Sequence, residues 1–396
     1  MTIAGQTGSK ILTLFWMLLI AFDFVKSKQY LPKSNLRNVM FALLILSVFT
    51  GILHGNLLYL GPFINDLRFF INFFVGFLGV ILYIEKEDYV QKIFQVLGLI
   101  FTAKLVILLF LTFSISRQTI LYKMSGDTGL YLLPSFVLIF YLTIKEKNKI
   151  IPFIGIIICF LFIGISASRG KLVILVLQLG LFFFATGNLK KLPIFFSLLL
   201  IPVLILPLIS TEMYNYFLWK ITSFNPSTGT GESALVRLIE FQNIIDQNLN
   251  NFYNFFLGKG LGGYWTSTSF PYPFNLYGTS SYPDEWIQKD MFFKPHGIMQ
   301  FSLLKFGFVG TFFLYLSIFK DLLSFKKYRN KLISQSKHSI FSEYLLILGT
   351  GLCVLFLVAF SSKLQLFSGI FLGSAAILSH NTSLLVKKNK FIDELK

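Results

Sequence analysis

Two cations lie in a short turn between two apolar runs. The sequence reads ISASRGKLVIL, in which Ser168, Arg169 and Lys171 stand between apolar runs at 150–165 and 172–184. Arginine stays protonated, and its planar guanidinium presents a fork of donors that binds phosphate or carboxylate oxygens in pairs. A cation in such a place either extends to lipid headgroups or binds an anionic ligand. The turn is therefore the first candidate site.

A histidine marks the second candidate site. His296 lies in FFKPHGIMQFSLLKFGFVG, just before an apolar run, and Lys294 stands two residues earlier. An imidazole at such a position is either structural or able to accept or orient a hydroxyl proton. The chain has four histidines, and the other three stand in less informative surroundings.

A predicted amphipathic helix lies in the long polar interval of residues 211–296, which ends at His296. The stretch SALVRLIEFQNIIDQNL places five apolar residues on one face: Leu235, Leu238, Phe241, Ile245 and Leu249. Glu240, Asn243 and Gln247 lie on the opposite face, and Arg237 lies at the border. One interpretation is a helix on a membrane surface, with Arg237 extending to the headgroups.

A glycine-rich stretch follows the predicted helix. In FFLGKGLGGYW, the residues Gly258, Gly260 and Gly263 match G-x-G-x-x-G, and Lys259 and Tyr264 lie among them. No strand-turn-helix unit surrounds the match, so it does not indicate a dinucleotide site. Glycine here allows the backbone to turn sharply or to approach a ligand closely. Backbone amides that face a phosphate are a further interpretation.

Aromatic residues are concentrated in this polar interval. Ten of them are Tyr214, Tyr216, Trp219, Tyr253, Tyr264, Trp265, Tyr272, Tyr277, Tyr282 and Trp286. Tyrosine and tryptophan at a membrane face are either interfacial anchors or flat apolar platforms for sugar rings. Composition alone leaves both interpretations open.

The elements that position these residues are membrane spans. Of the 396 residues, 55% are hydrophobic and 13% charged, and the mean hydropathy is +0.70, which indicates an all-α integral membrane protein. Cys159 and Cys353 fall inside predicted spans and are expected to be packing residues. Eleven spans, with ten to twelve as the range, are predicted near residues 11–25, 38–58, 66–84, 93–114, 128–144, 150–167, 171–187, 192–210, 297–319, 342–361 and 364–380.

The net charge of +17 reports topology rather than binding to nucleic acid. Lysine and arginine cluster in alternate loops, near 26–37, 86–92, 145–149, 190–191, 320–337 and 387–396. The positive-inside rule places these loops and the C-terminus in the cytoplasm. The interval 211–296 and the Arg169 turn then lie on the extracytoplasmic (periplasmic) side. The predicted organisation is a bundle of eight spans (1–210), a periplasmic loop (211–296), and three spans with a cytoplasmic tail (297–396).

Three motifs, in this order, resemble those of the O-antigen ligase and O-antigen polymerase superfamily of bacterial membrane glycosyltransferases. They are SASRGK, which is similar to the family's Ser-Arg-Gly turn; ALVRLIEFQNIIDQN with FLGKGLGGY, similar to a periplasmic helix and glycine-rich turn; and PHGIMQFSLLKFGFVG, similar to a segment that opens a span. The matching stretches cover roughly residues 155–311. His296 is followed by Gly297 where ligases usually carry asparagine, and Lys305 stands where many members carry an acidic residue.

The resemblance implies a GT-C-like bundle and a donor in which undecaprenyl diphosphate carries a sugar or oligosaccharide. It implies catalytic roles for Arg169, Arg237 and His296. The other candidate substrate-binding residues are Ser168, Lys171, Lys259, Tyr264 and Lys294. The expected reaction inverts the anomeric centre and uses neither metal nor cofactor. Its expected partners are the donor, a glycan acceptor, membrane lipid and a chain-length regulator.

Gly297 favours a polymerase of surface polysaccharide repeat units over two alternatives. One alternative is an O-antigen ligase, which transfers the polysaccharide to lipid A-core or another acceptor. The other is a transporter of polysaccharide or lipid-linked sugar. A transporter is expected to carry charged residues through several spans around a central cavity. The expected location is the bacterial inner membrane.

Overall fold

The structure is a computed structural model that describes residues 32–83, 87–112, 131–146, 150–166, 169–198, 200–209, 211, 214–215, 218, 232–271, 282–334, 340–358 and 364–379. Fourteen α-helices and no sheet are found in these residues. In chain order, the helices are α1 Asn35–Leu53, α2 Leu60–Tyr83, α3 Glu87–Thr112, α4 Leu133–Glu146, α5 Ile150–Ser166, α6 Arg169–Thr186, α7 Leu192–Ser197, α8 Leu200–Ile209, α9 Glu232–Leu249, α10 Phe252–Leu257, α11 Asp284–Gln288, α12 Ile298–Ser334, α13 Ile340–Val358 and α14 Leu364–Ser379.

Several long apolar helices indicate a multi-pass membrane protein. Four stretches are long and apolar enough to cross a bilayer, namely Asn35–Leu53, Asn56–Tyr83, Tyr89–Ile107 and Ile298–Lys331. Shorter apolar helices accompany them. The predicted span at 11–25 lies outside the described residues, whereas helices correspond to each of the other ten. The eighth, 192–210, is divided between α7 and α8.

Helix α12 continues well beyond the predicted span end at residue 319. Its second half contains the basic residues 320–331, which hydropathy excludes from a span but which form helix readily. At this end of the molecule the buried Asp321 carboxylate accepts hydrogen bonds from the backbone N–H groups of Asn35 (2.9 Å) and Leu36 (3.0 Å). A carboxylate there satisfies free donors in the first turn of α1 and complements the helix dipole.

Several described basic residues, among them Lys191 and Lys326, lie at this end, called here the basic end. Lys326 lies over the Phe184 ring near the end of α6, and Lys191 donates to the Tyr141 hydroxyl at 2.7 Å. The opposite end, called the loop end, contains residues 232–297. There the N–H of Leu261 donates to the Ser47 carbonyl of α1 at 2.9 Å. The fold therefore separates a basic end from an end that carries the candidate site.

A kink in α12 holds the glycine-rich stretch in place. Gly307 has φ 67° and ψ −172° inside α12, which breaks the helical hydrogen-bond ladder. Carbonyls just before the kink accept from the glycine-rich stretch instead: the N–H of Lys259 bonds Leu304 O at 2.7 Å, and the N–H of Gly260 bonds Lys305 O at 3.1 Å. The buried backbone groups on both sides are thereby satisfied.

Glycine is required where these backbones touch. Gly258 and Gly260 have φ values of 68° and 69°, in the left-handed region. A Cβ on Gly258 would lie 2.5 Å from the Gly307 nitrogen, and one on Gly260 would lie 2.2 Å from the Gly51 nitrogen. The predicted sharp turn is confirmed, and the close approach is to the backbones of α1 and α12.

Candidate functional site

A buried carboxylate holds the candidate histidine at the loop end. Glu240 of α9 is 0% exposed, and its Oε2 accepts the backbone N–H of His296 at 3.1 Å. Its Oε1 contacts His296 Nδ1 and accepts the hydroxyl hydrogen bond of Tyr282. The His296 side chain is 31% exposed, so the imidazole extends from a buried anchor to the surface.

This arrangement sets the chemistry that is open to the imidazole. A carboxylate only accepts hydrogen bonds, so the Nδ1 that contacts it is the nitrogen that carries the proton. In the neutral ring, Nε2 is then left with its lone pair. This pairing of a buried carboxylate with an imidazole suits a general base, because the carboxylate stabilises the cation that forms when Nε2 takes a proton.

Helix α9 turns its polar face inward. The predicted helix is confirmed, and the leucines of its predicted apolar face point away from the protein, with Leu238 49% and Leu249 59% exposed. Phe241 of that face instead packs against a buried cluster that includes Val236 and Ile244. Asn243 bonds both the N–H and the carbonyl of Phe270, at 3.0 and 2.7 Å, and Asn248 donates to Leu303 O at 2.9 Å. These hydrogen bonds fix the orientation that buries Glu240 beside His296.

Lys259 ties the glycine-rich stretch to α9. Its ammonium donates to Gln247 Oε1 at 2.7 Å and to the Tyr264 carbonyl at 2.8 Å, and it lies 5.6 Å from the centre of the Tyr264 ring. Burial and the neighbouring charge of Lys305 lower the pKa of Lys259 to about 8. The described contacts of this predicted substrate-binding lysine are all with protein groups.

A buried ion pair lies directly beneath the glycine-rich stretch. Lys305 Nζ of α12 lies 2.6 Å from Asp66 Oδ2 of α2, and both side chains are almost completely buried. Asp66 Oδ2 also accepts the N–H of Gly262 at 2.8 Å, while Lys305 donates to the Gly263 carbonyl. The ion pair therefore fixes the segment of chain that leads from Lys259 to Tyr264.

The predicted cations lie at the same end. Helix α6 begins at Arg169, so that Arg169 and Lys171 occupy its first turn. Ser168 and the side chain of Arg169 lie outside the described residues. The buried Lys171 ammonium lies 5.8 Å from the centre of the Tyr131 ring. The charge of Arg237 lies close enough to act on the Tyr131 hydroxyl.

Arg237 connects this group to the histidine. It is exposed on α9, one turn before Glu240, whose carboxylate bonds His296. Lys294 is exposed two residues before His296. The structure thus brings Lys171, Arg237 and His296 to one end of the bundle, and the backbone of Arg169 begins a helix there.

Three important residues were not predicted as site residues: Glu240, Tyr282 and Asp66. The sequence places Glu240 on the polar face of α9, three residues after Arg237, which is the one indication that it gives. Tyr282 is one of many aromatic residues in the polar interval, and nothing in the sequence distinguishes it. Of those aromatic residues, Trp265 is completely buried and Tyr253 is exposed, while Tyr216, Trp219, Tyr272 and Tyr277 lie outside the described residues. Cys159 and Cys353 are buried and free.

Comparison with protein-family models, curated proteins and solved structures gives no match to this chain.

Proposed function

We propose that the protein is a membrane glycosyltransferase that polymerises surface polysaccharide repeat units. In this proposal it transfers a sugar or oligosaccharide from an undecaprenyl-diphosphate donor to a hydroxyl group of an acceptor glycan. The observation that supports it best is the buried Glu240 that holds a partly exposed His296 at the end where Lys171 and Arg237 also lie.

His296 acts as the general base in the proposed reaction. Nε2 takes the proton of the acceptor hydroxyl, while the hydroxyl oxygen forms a bond to the anomeric carbon of the donor sugar. The bond from that carbon to the diphosphate oxygen breaks, and its electron pair leaves with the diphosphate. Attack opposite the leaving group inverts the anomeric centre. Glu240 stabilises the imidazolium, which afterwards releases its proton to water.

The cations stabilise the leaving group in the same proposal. Negative charge develops on the departing diphosphate, and guanidinium groups bind phosphate oxygens in pairs. Glu240, Tyr282 and His296 are called here the histidine cluster. Arg237 is exposed beside it, and Arg169 begins a helix of 18 residues whose N-terminal dipole also favours an anion. In this proposal Arg169 and Arg237 bind the diphosphate of the donor, while His296 takes the proton of the acceptor hydroxyl.

The proposed location follows the positive-inside rule. The basic end faces the cytoplasm, and the loop end faces the periplasmic side of the bacterial inner membrane. Lipid-linked glycans are then processed outside the cytoplasm. The exposed leucines of α9 fit this location, since they face the lipid interface while the polar face binds the protein.

Gene replacement tests the proposal. The gene is deleted and restored intact, as His296→Gln or as His54→Gln, and the surface glycan of each strain is separated on a gel. His54 is the matched control, because it lies at the loop end and bonds Asn254 at 3.1 Å. The expected result is single-repeat bands for the deletion and for His296→Gln, and full ladders for the intact gene and His54→Gln.

Two other results would contradict the proposal. Long lipid-linked chains that accumulate without transfer to the cell surface would identify the ligase alternative. Normal ladders from His296→Gln at the protein level of the intact gene would remove His296 from the reaction.

A further inference from the structure

A pocket of ≈ 240 Å³ opens beside the histidine cluster. It lies between the turn that joins α1 to α2 and helix α11 with the chain after it. Its walls include the aromatic rings of Tyr59, Trp286 and Phe293, and Glu285 and Lys289 stand at its rim. The pocket is smaller than the roughly 300–1,000 Å³ typical of sites for drug-sized ligands, so it suits a single small ring.

The pocket is connected to the candidate base through aromatic contacts. The Trp286 ring centre lies 5.2 Å from that of Phe293 and 6.3 Å from that of Tyr282. Tyr282 in turn contacts the His296 ring at 5.2 Å and donates to Glu240. A ligand that rests against Trp286 is therefore one aromatic layer away from the group that is proposed to take a proton.

The chemistry of the pocket fits a hydroxylated ring without a charge. Aromatic faces pack against the C–H face of a sugar, and the rim supplies hydrogen-bonding groups for its hydroxyls. Glu285 and Lys289 form an ion pair at 2.8 Å, one helical turn apart on α11, so they present an acceptor and a donor side by side with no net charge. The hydrogen bond between the two side chains, and then the attraction of their opposite charges, lowers the pKa of Glu285 and raises the pKa of Lys289, so both stay charged at neutral pH.

The same features argue against the diphosphate of a donor. The carboxylate of Glu285 repels an anion, and the ammonium of Lys289 is already paired with it. Arg237 approaches the histidine cluster along a different helix, α9. The two reactants of the proposed reaction therefore have separate places, with the anion near Arg237 and the neutral sugar near Trp286.

We infer that this pocket, walled by Tyr59, Trp286 and Phe293, binds one sugar ring of the acceptor glycan one aromatic layer away from His296. The inference rests on the proposed function for the identity of the ligand as an acceptor. The binding of a sugar ring can be measured separately from transfer.

Equilibrium dialysis of the purified full-length protein in lipid nanodiscs tests the inference. The probe is the oligosaccharide released by mild acid from the lipid-linked glycans of the producing cells and labelled at its reducing end. Trp286→Ala is expected to weaken binding about tenfold, which corresponds to about 1.4 kcal/mol, because the sugar loses an aromatic face against which it packs. Trp286→Phe retains a ring and is expected to keep most of the affinity. Tyr253→Ala, at an exposed tyrosine of α10 away from the pocket, is the control.

A second variant covers the case in which Trp286→Ala does not fold. Glu285→Ala with Lys289→Ala changes only exposed side chains and is expected to weaken binding by about threefold, as the loss of a hydrogen-bonding pair would. Wild-type protein that does not bind the oligosaccharide, or equal affinities for wild type and both variants, would overturn the inference.

Transfer assays separate the two proposals. If the wild type binds the oligosaccharide through Trp286 but transfers no glycosyl group, sugar binding in the pocket is supported and the proposed glycosyltransferase activity is refuted. Transfer by Trp286→Ala with an unchanged dependence on acceptor concentration would uphold the enzyme and refute the pocket. If both proposals hold, Trp286→Ala requires about tenfold more acceptor for half-maximal rate, with an unchanged rate at saturation.

Discussion

Glu240→Gln removes one charge from the centre of the site and changes almost no volume. Glu240 is completely buried, and its two oxygens serve three donors: the backbone N–H of His296 on Oε2, and His296 Nδ1 with the Tyr282 hydroxyl on Oε1. A glutamine has one oxygen and one NH₂ group, so it cannot accept on both sides.

Each orientation of the glutamine amide has a defined consequence. With its oxygen toward Nδ1, the NH₂ group faces the backbone N–H of His296, and one buried hydrogen bond is lost. With its NH₂ group toward Nδ1, that nitrogen must accept, and the imidazole proton moves to Nε2. The first orientation costs about 1–3 kcal/mol of stability. The second retains the hydrogen bonds to His296 but removes the base.

The expected loss of rate follows from the change of tautomer. A serine protease in which the corresponding aspartate becomes asparagine keeps its geometry and loses a factor of about 10⁴ in turnover. We expect a loss on the order of 10³–10⁴ for Glu240→Gln, which corresponds to about 4–5 kcal/mol in the barrier. The affinity for both substrates is expected to change little, because the carboxylate is too deeply buried to contact either.

The assay measures elongation of purified lipid-linked repeat units by protein in nanodiscs, at equal amounts of folded protein judged by gel filtration. Asp246→Asn is the matched control, since Asp246 lies on α9 and bonds the exposed Ser269 hydroxyl at 2.5 Å. The control is expected to retain the wild-type rate within about twofold, as is usual for a surface substitution.

A double variant decides whether the two residues act together. If Glu240 works only through His296, then Glu240→Gln combined with His296→Gln is no slower than His296→Gln alone. A further loss on combining them would contradict the reasoning, and so would a wild-type rate for folded Glu240→Gln. Either result would make Glu240 a structural residue.

Three further predictions concern stability in detergent, measured by thermal unfolding. Because the pKa of Lys259 is lowered to about 8 in the folded protein, the unfolded chain binds more protons than the folded protein between about pH 8 and 10.5, and wild-type stability rises with pH there. Lys259→Met is expected to lack this rise, and parallel pH profiles for the two proteins would refute the lowered pKa. Gly260→Ala is expected to lower the free energy of unfolding by about 3 kcal/mol or more, because φ is left-handed there and the added Cβ would lie 2.2 Å from a backbone nitrogen. Gly180→Ala in α6, where no atom lies within 4 Å of the added Cβ, is the control and is expected to have little effect. Equal effects of the two substitutions would refute the close contact. Lys305→Met removes the partner of the buried Asp66 carboxylate and is expected to lower the free energy of unfolding by about 3–5 kcal/mol. Adding Asp66→Asn is expected to restore part of that loss, and strictly additive losses would refute the ion pair.

The spans were predictable because hydropathy is a local property. Four of the described helical stretches are long and apolar enough to cross a bilayer, and shorter apolar helices lie at the other described span positions, so no tertiary information was required. Helix α9 was predictable from its period for the same reason. The end of α12 was not, since hydropathy stops at the first charged residues while the helix continues through them.

The contacts of the site were not predictable, because they join distant parts of the chain. Glu240 and His296 are 56 residues apart, and nothing in their spacing indicates that they meet. Period alone also does not tell which face of α9 is buried. In water the leucine face would turn inward. At a membrane surface, lipid can cover the leucine face, and the polar face is then free to bind the protein.

The inward polar face of α9 is what couples membrane position to chemistry. Asn243 and Asn248 bond Phe270 and Leu303, and these bonds contribute to the rotation of α9 that brings Glu240 to His296. Leu303 lies just before the α12 kink, where Lys259 and Gly260 bind the freed carbonyls. The imidazole is therefore held from two directions, by its own position before α12 and by a helix that α12 itself orients. A substitution that straightened the kink would move both partners of the Glu240–His296 contact, although Gly307 lies roughly three helical turns along the chain from His296.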